Sequence, residues 1–454
     1  MAMSGLEMAR RKMADAGVPS RAIDVFSAFY RELEQGSRGM IREDDVEPLT
    51  DVAHAADLRV DDATAREAAA VTAVIKLNGG LGTSMGMDRA KTLLPVRADL
   101  TFLDVIVGQV KHVREENGVR LPLLFMNSFR TRDDTLAALP DDLNGELPQD
   151  FLQNREPKLR ADDLTPVEWP ADPSLEWCPP GHGDLYTALE TSGVLATLLD
   201  AGFRYATVSN ADNLGAAPDP AMMGWFAASG APYAAEVCRR TPADVKGGHL
   251  VVRRSDGRLV LRETAQTADE DAEAAADMTR HRYFHTNNLW FDLEQVARTL
   301  AEREGVLGLP LIRNEKTVDP TDPSSPKVVQ IESAMGAGVE VFDGATAIEV
   351  DRSRFLPVKT TNDLLLLRSD VYGVGPDFRV RAQVDPPLVD LDRRFYTTIG
   401  DFDARIPDPP SLVDARSLTV RGDWRFGRAV VVRGDVELED DGTARAIAAN
   451  TRLG

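Results

Sequence analysis

The chain has 454 residues and a formal charge of −21, long enough for about two or three domains and too long for a single small module. So acidic a surface repels polyanions, which excludes nonspecific binding to nucleic acid or to anionic membranes. Two cysteines, Cys178 and Cys238, cannot build a disulfide framework or a four-ligand zinc site, so a reducing compartment, the cytoplasm, is expected.

The basic start Arg10-Arg11-Lys12 is followed by no apolar segment, and no run approaches the roughly 18 apolar residues of a membrane span. Neither secretion nor membrane insertion is expected. Residues 1–70 read as an acidic helical segment, with Ile23, Phe26, Phe29 and Tyr30 forming one apolar stripe that packs on the body as a cap.

From residue 71 to about 375 strand and helix patterns alternate. Val71–Leu77, Leu121–Asn127 and Tyr205–Ser209 read as strands; Phe102–Glu116, Thr131–Leu139 and Tyr186–Leu199 read as helices. The alternation predicts an α/β core around a largely parallel sheet, with ligands at the C-terminal strand edges. Val251-Val252 and Leu259-Val260-Leu261 flank Ser255-Asp-Gly257 and predict an antiparallel hairpin inserted in that core. Prolines at 376, 386, 387, 407, 409 and 410 mark a linker or boundary, and 376–454 reads as a separate unit of short β segments. Those segments fit either a small β-solenoid or an ordinary small sheet.

The densest signal is Lys76-Leu-Asn-Gly-Gly-Leu-Gly-Thr-Ser-Met-Gly86, placed directly after a strand and followed by Lys91. Its glycines let backbone N–H groups approach an anion closely. The spacing matches neither a Walker loop nor a dinucleotide fingerprint. Only nine of the 52 basic residues are lysines, so a lysine beside a motif, such as Lys76, Lys91, Lys246 or Lys359, marks a place where a compact charge matters.

Further polar steps follow predicted strands or precede helices. In Trp177-Cys-Pro-Pro-Gly-His-Gly-Asp184 a stiff loop presents His182 between two glycines. Ser209-Asn-Ala-Asp-Asn213 sets Asp212 at a strand end, where one carboxylate suits Mg²⁺ with substrate oxygens, or forms a simple Asx turn. Phe284-His-Thr-Asn-Asn288 offers paired amides of the kind that meet sugar hydroxyls. Lys359, after Arg352-Ser-Arg-Phe-Leu-Pro-Val358, is either a snorkelling surface residue or a cation positioned for phosphate. No nucleophilic triad is visible, and CxxC and HExxH are missing, which disfavours covalent or zinc chemistry and leaves phosphoryl or nucleotidyl transfer.

Taken together, Lys76–Gly86, Met126-Asn-Ser-Phe129, Pro179–Asp184, Ser209–Ala216, Lys246-Gly-Gly248, Thr286–Trp290 and Phe342–Tyr372 resemble the eukaryotic-like UTP–glucose-1-phosphate uridylyltransferase (UDP-glucose pyrophosphorylase) family over roughly residues 70–372. The resemblance implies a Rossmann-like nucleotidyltransferase core, an N-terminal helical part and a short C-terminal left-handed β-helix. It implies the reversible, Mg²⁺-dependent conversion of UTP and glucose 1-phosphate into UDP-glucose and pyrophosphate. By motif position, Leu77, Asn78, Gly79 and Gly80 would hold the nucleotide, Lys91 would meet the triphosphate, and Gln153 and Gly181 would contact uridine. His182, Asn210 and Asn287 would face the sugar phosphate, Asp212 the metal, and Lys359 the reacting phosphates, with Lys359 and Lys91 as the catalytic pair.

Cys178 stands where the family commonly has Tyr, so the rim of that loop differs or is redox-sensitive, inert packing being favoured. The chain stops soon after its first β rungs, so a homo-oligomer through the C-terminal part is one expectation and an octamer is not assumed. A pyrophosphorylase for other UDP-sugars and a silent nucleotide-sugar sensor are the rival readings. Retention of Lys91, Asp212 and Lys359 together argues against the sensor.

Overall fold

A computed structural model describes residues 3–454 except 38, 83–84, 98–99, 242–243 and 245–246. Lys246 and the Thr-Ser pair of the glycine-rich loop therefore lie outside the described residues. Eight strands form the spine of the main sheet: β1 (Ala53–His54), β2 (Thr72–Asn78), β3 (Leu123–Asn127), β4 (Asp150–Leu152), β5 (Tyr205–Asn210), β6 (Tyr233–Arg239), β7 (Tyr283–Asp292) and β8 (Thr346–Glu349). Their order is β1-β8-β6-β7-β5-β2-β3-β4. Every neighbouring pair is parallel except those made by β7, which runs against both β5 and β6. The sheet is thus mixed and mainly parallel, as the alternation predicts.

Both faces of the sheet are covered, which is why its central strands read as continuous apolar runs. Ile75, Leu124 and Val208 face a core shared with Tyr186, Leu189 and the N-terminal stripe. Val74, Phe125 and Tyr205 face a second core with helix Phe102–Asn117 and with Leu412, Leu418 and Val432 of the C-terminal strands. The stripe lies on helix Ser20–Glu34, where Ile23, Phe26, Phe29 and Tyr30 are all buried and the Tyr30 hydroxyl donates to the Leu164 carbonyl at 2.9 Å.

Two local departures stand beside one agreement. The helix expected over Tyr186–Leu199 is two helices, Leu185–Thr191 and Val194–Asp200, because Gly193 takes φ 78° between them and breaks the hydrogen-bond ladder. The stretch 375–410 is folded: helices Arg393–Tyr396 and Ile399–Arg405 lie between its prolines and bury Tyr396 and Phe402. The predicted hairpin is present, His249–Arg253 against Leu259–Arg262, and it joins the main sheet through β7.

In the C-terminal part, Leu388–Leu391, Ser411–Val420, Val431–Leu438 and Arg452–Leu453 stack in parallel in that order. A second parallel pair joins Trp424–Phe426 to Arg445–Ile447. Sequential strands of a meander would pair antiparallel, whereas these pair parallel.

Candidate active site

The parallel register sets Asn78, Asn127 and Leu152 side by side at the C-terminal ends of their strands, with Asn210 one residue behind, beside Leu77. Loops leaving these ends carry most of the expected residues. Leu77 pairs with Asn210, and its carbonyl accepts the Ala211 N–H at 3.0 Å. The Asn78 amide is fully engaged within the protein: Nδ2 donates to Asn127 Oδ1 and Thr135 Oγ1 at 2.8 Å each, and Oδ1 accepts from Thr92 Oγ1 at 2.9 Å. Asn78 is therefore a strut under the loop.

Above it, the Gly79 carbonyl accepts from Ser128 Oγ at 3.0 Å and the Gly80 carbonyl from the Lys91 N–H at 3.3 Å. A Cβ on Gly79 would stand 2.9 Å from Gln153 Oε1, so the absence of a side chain is what admits Gln153. Gln153 Nε2 donates to the Gly181 carbonyl at 2.7 Å and so ties the glycine-rich loop to the His182 loop. At Gly181 φ is 75°, and a Cβ there would lie 2.5 Å from the Ser333 carbonyl oxygen, so this turn requires glycine twice over.

The charged centre is built from three distant points of the chain. Lys91 Nζ donates to Asp212 Oδ2 at 2.9 Å and also to the Val358 carbonyl; Lys359 Nζ reaches the same Oδ2 at 3.3 Å. Lys91 is held in place, whereas the Lys359 side chain is 59% exposed. A capping box between Thr360 and Asp363 opens helix Thr361–Arg368 and fixes the backbone of Lys359 just ahead of it. Burial pushes the Asp212 carboxyl up, but Lys359 and Lys91 together outweigh it and hold the pKa below its ordinary value. Its second oxygen, Oδ1, is buried with no hydrogen-bond partner among the described residues.

Lys359 also lines a cavity of about 400 Å³ together with His182, Asn210, Asn287, Glu263 and Asn314. His182 Nδ1 accepts the Met335 N–H at 2.9 Å, which leaves Nε2 to carry the proton. Burial, and secondarily Lys359, lowers the His182 pKa to about 4, so the ring is neutral at physiological pH. Asn287 sits in a bulge where three residues of β7 oppose one of β6, and its φ of 59° turns the strand at that point. His285 Nδ1 lies 3.1 Å from Asn287 Oδ1.

His182, Asn210, Asn287 and Lys359 therefore share one cavity, and Lys91 and Asp212 meet Lys359 at its border. Two findings lie outside the sequence reading. Glu263 lines the cavity with a pKa raised to about 7 by burial. Its signal in the sequence was Gly247-Gly248, because a Cβ on Gly248 would stand 2.9 Å from Glu263 Oε1. Lys76, singled out beside the glycine-rich loop, turns inward instead: Nζ is fully buried and donates to Ser209 Oγ and the Ala216 carbonyl at 2.8 Å.

A family model described as UTP–glucose-1-phosphate uridylyltransferase matches residues 23–433. A barley (Hordeum vulgare) UTP–glucose-1-phosphate uridylyltransferase is 40% identical over 371 residues, covering 80% of this chain and 76% of its own length. The Saccharomyces cerevisiae protein of that name is 40% identical over 372 residues, covering 80% and 73%. Among solved structures, a variant of the Leishmania major UDP-glucose pyrophosphorylase in complex with UDP-glucose superposes with a TM-score of 0.92 at 39% identity, covering 100% of this chain and 98% of that one. A UDP-glucose phosphorylase from Trypanosoma brucei gives 0.90 at 39% identity, covering 99% and 98%. With the family model spanning most of the chain and these identities sustained over four-fifths of it, the chain belongs to the UTP–glucose-1-phosphate uridylyltransferase family.

Proposed function

We propose that the protein transfers the uridylyl group of UTP to glucose 1-phosphate, giving UDP-glucose and pyrophosphate, and runs the reverse reaction at the same site. The observation that carries this reading is the convergence of Lys91 and Lys359 on Asp212 where the glycine-rich loop borders the His182 cavity. Leu77 to Gly80 present backbone to the nucleotide, and Gln153 with Gly181 forms the uridine side. The cavity lined by His182, Asn210 and Asn287 takes the sugar phosphate.

Mg²⁺ fits the residues present. Asp212 Oδ1 is a buried acceptor with no donor among the described residues, and this cation typically takes one or two carboxylates and completes its shell with water and phosphate oxygens. When bound it would neutralise charge on the triphosphate oxygens. Among the described residues no cage of three or more His, Cys, Asp or Glu side chains is gathered, so Asp212 would hold it with water and phosphate oxygens completing the shell.

The chemistry needs no enzyme nucleophile. A phosphate oxygen of glucose 1-phosphate attacks the α-phosphorus of UTP; the new O–P bond forms as the bond to the bridging α–β oxygen breaks, and pyrophosphate leaves with that electron pair. Lys91, anchored on Asp212 and Val358, supplies fixed positive charge on the nucleotide side. Lys359, exposed and weakly held, is free to follow charge onto the reacting oxygens. Neutral His182 donates from Nε2 into the cavity and orients the sugar phosphate without adding charge.

No helix among the described residues is long and apolar enough to cross a membrane. Cys178 and Cys238 are free and buried, and burial raises both thiols above their ordinary range, which suits the cytoplasm and inert packing rather than redox sensing.

Pyrophosphate release measured over a panel of sugar 1-phosphates and nucleoside triphosphates tests the assignment. UTP with glucose 1-phosphate is expected to give the highest kcat/KM and to require Mg²⁺; no turnover with that pair, or a clear preference for another sugar, overturns it. Glu263→Gln is expected to raise KM for glucose 1-phosphate by about 10- to 100-fold, the range of one lost hydrogen bond to a charged group, while KM for UTP stays within about twofold. Equal effects on both KM values would remove Glu263 from the sugar side.

A further inference from the structure

Beneath the site lies a buried polar network that touches none of the cavity. Glu236, in the middle of β6, is 0% exposed. Its carboxylate accepts four hydrogen bonds: Arg354 Nη2 at 2.7 Å and Trp290 Nε1 at 2.9 Å on Oε1, Arg354 Nε at 2.8 Å and Asn288 Nδ2 at 2.9 Å on Oε2. The two-pronged Arg354 contact fixes the guanidinium plane, and Nη1 continues to the Ala217 carbonyl at 3.2 Å.

The same arginine is tied down through its backbone. Its carbonyl accepts from Asn213 Nδ2 at 3.1 Å and from Asn288 Nδ2 at 3.2 Å, while Asn213 Oδ1 accepts the Leu356 N–H at 2.8 Å. Gly215 lies so close that a Cβ would stand 2.4 Å from the Ser353 carbonyl oxygen. The chain from 353 to 358 is thereby strapped along the chain from 211 to 217. The strap ends at a bond from the Val358 N–H to the Asp212 carbonyl at 3.2 Å, one residue before Lys359.

We infer that Glu236 and Arg354 are positioning residues for uridylyl transfer, acting through the 353–358 strap to set Lys359 and Asp212 against each other. This rests on the function proposed above. A buried ion pair is poor evidence for stability, since an apolar pair of the same volume is often equally stable or better. What an apolar pair lacks is direction. The fork of Arg354 on Glu236 holds one backbone segment in one register against another, and catalytic groups misplaced by about 1 Å cost about 10²-fold in rate. A lysine cannot reproduce the fork.

The test compares the wild-type protein, the double variant Glu236→Leu with Arg354→Met, and Asn213→Ala, which removes the side-chain bonds to the Arg354 carbonyl and the Leu356 N–H and leaves the ion pair intact. Thermal unfolding, UTP affinity by calorimetry, and kcat with both substrates saturating are measured for each. The double variant is expected to unfold within a few degrees of wild type and to bind UTP within about threefold, while kcat falls at least about 30-fold; Asn213→Ala is expected to show the same split between binding and kcat. A folded double variant with kcat within about threefold of wild type would make the pair merely structural. If the double variant does not fold, Asn213→Ala decides alone, and a wild-type kcat there overturns the inference. Absence of turnover in the wild-type control would strike the proposed function instead, so the two failures are distinguishable.

Discussion

Lys359→Ala is expected to lower kcat by at least about 10²-fold, the scale of losing one group that stabilises charge in the transition state. The loss falls on kcat because of where the amine stands. It is 59% exposed, 3.3 Å from Asp212 Oδ2, and on the wall of the His182 cavity, so it can leave its carboxylate for a phosphate oxygen as charge develops there. Stability changes little, because an ion pair this exposed contributes about 0–1 kcal/mol. Steady-state kinetics with thermal unfolding as the control makes the check: a variant that keeps kcat returns Lys359 to the role of a surface partner.

Asp212→Asn is expected to be worse on two counts. The isosteric amide removes the charge that anchors Lys91, whose side chain is only 14% exposed and whose other partner is the Val358 carbonyl. It also removes the charge on Oδ1, the acceptor available to a cation. The expected outcome is a kcat lowered by more than about 10²-fold together with a Mg²⁺ requirement displaced at least about tenfold upward. A titration of rate against Mg²⁺ reads both, and an unchanged midpoint rejects the metal assignment. The carboxylate's lowered pKa fixes the sign with pH: its contribution is present above the ordinary carboxyl range and is lost only as pH falls below it, so the centre stays ionised throughout neutral pH.

Much of this was legible because the governing signals are local. An apolar stripe at helical spacing predicts the cap helix, since burial follows the 3.6-residue period. A polar cluster directly after an apolar strand predicts Asp212 and Asn210 at the ligand edge, since parallel register aligns strand ends. The break at Gly193 was less legible, because a single glycine within a helical pattern is tolerated as often as it terminates. Gln153 gains its meaning only when Gly79 and Gly181 close around it. Glu236 lies in a run of strand residues, Tyr233–Arg239, that reads as plain core, and its partners Asn288 and Arg354 are 52 and 118 residues away. No window of sequence brings those groups together; the sheet order does.

In the proposed mechanism uridylyl passes directly from one substrate to the other, with lysines and a carboxylate in place of an enzyme nucleophile. The stereochemical course at the α-phosphorus tests it most directly, using UTP made chiral there by sulfur substitution and reading the configuration of the UDP-glucose analogue formed. A single in-line displacement predicts inversion. Retention would require a covalent uridylyl-enzyme intermediate and would contradict the mechanism drawn from Lys91, Asp212 and Lys359.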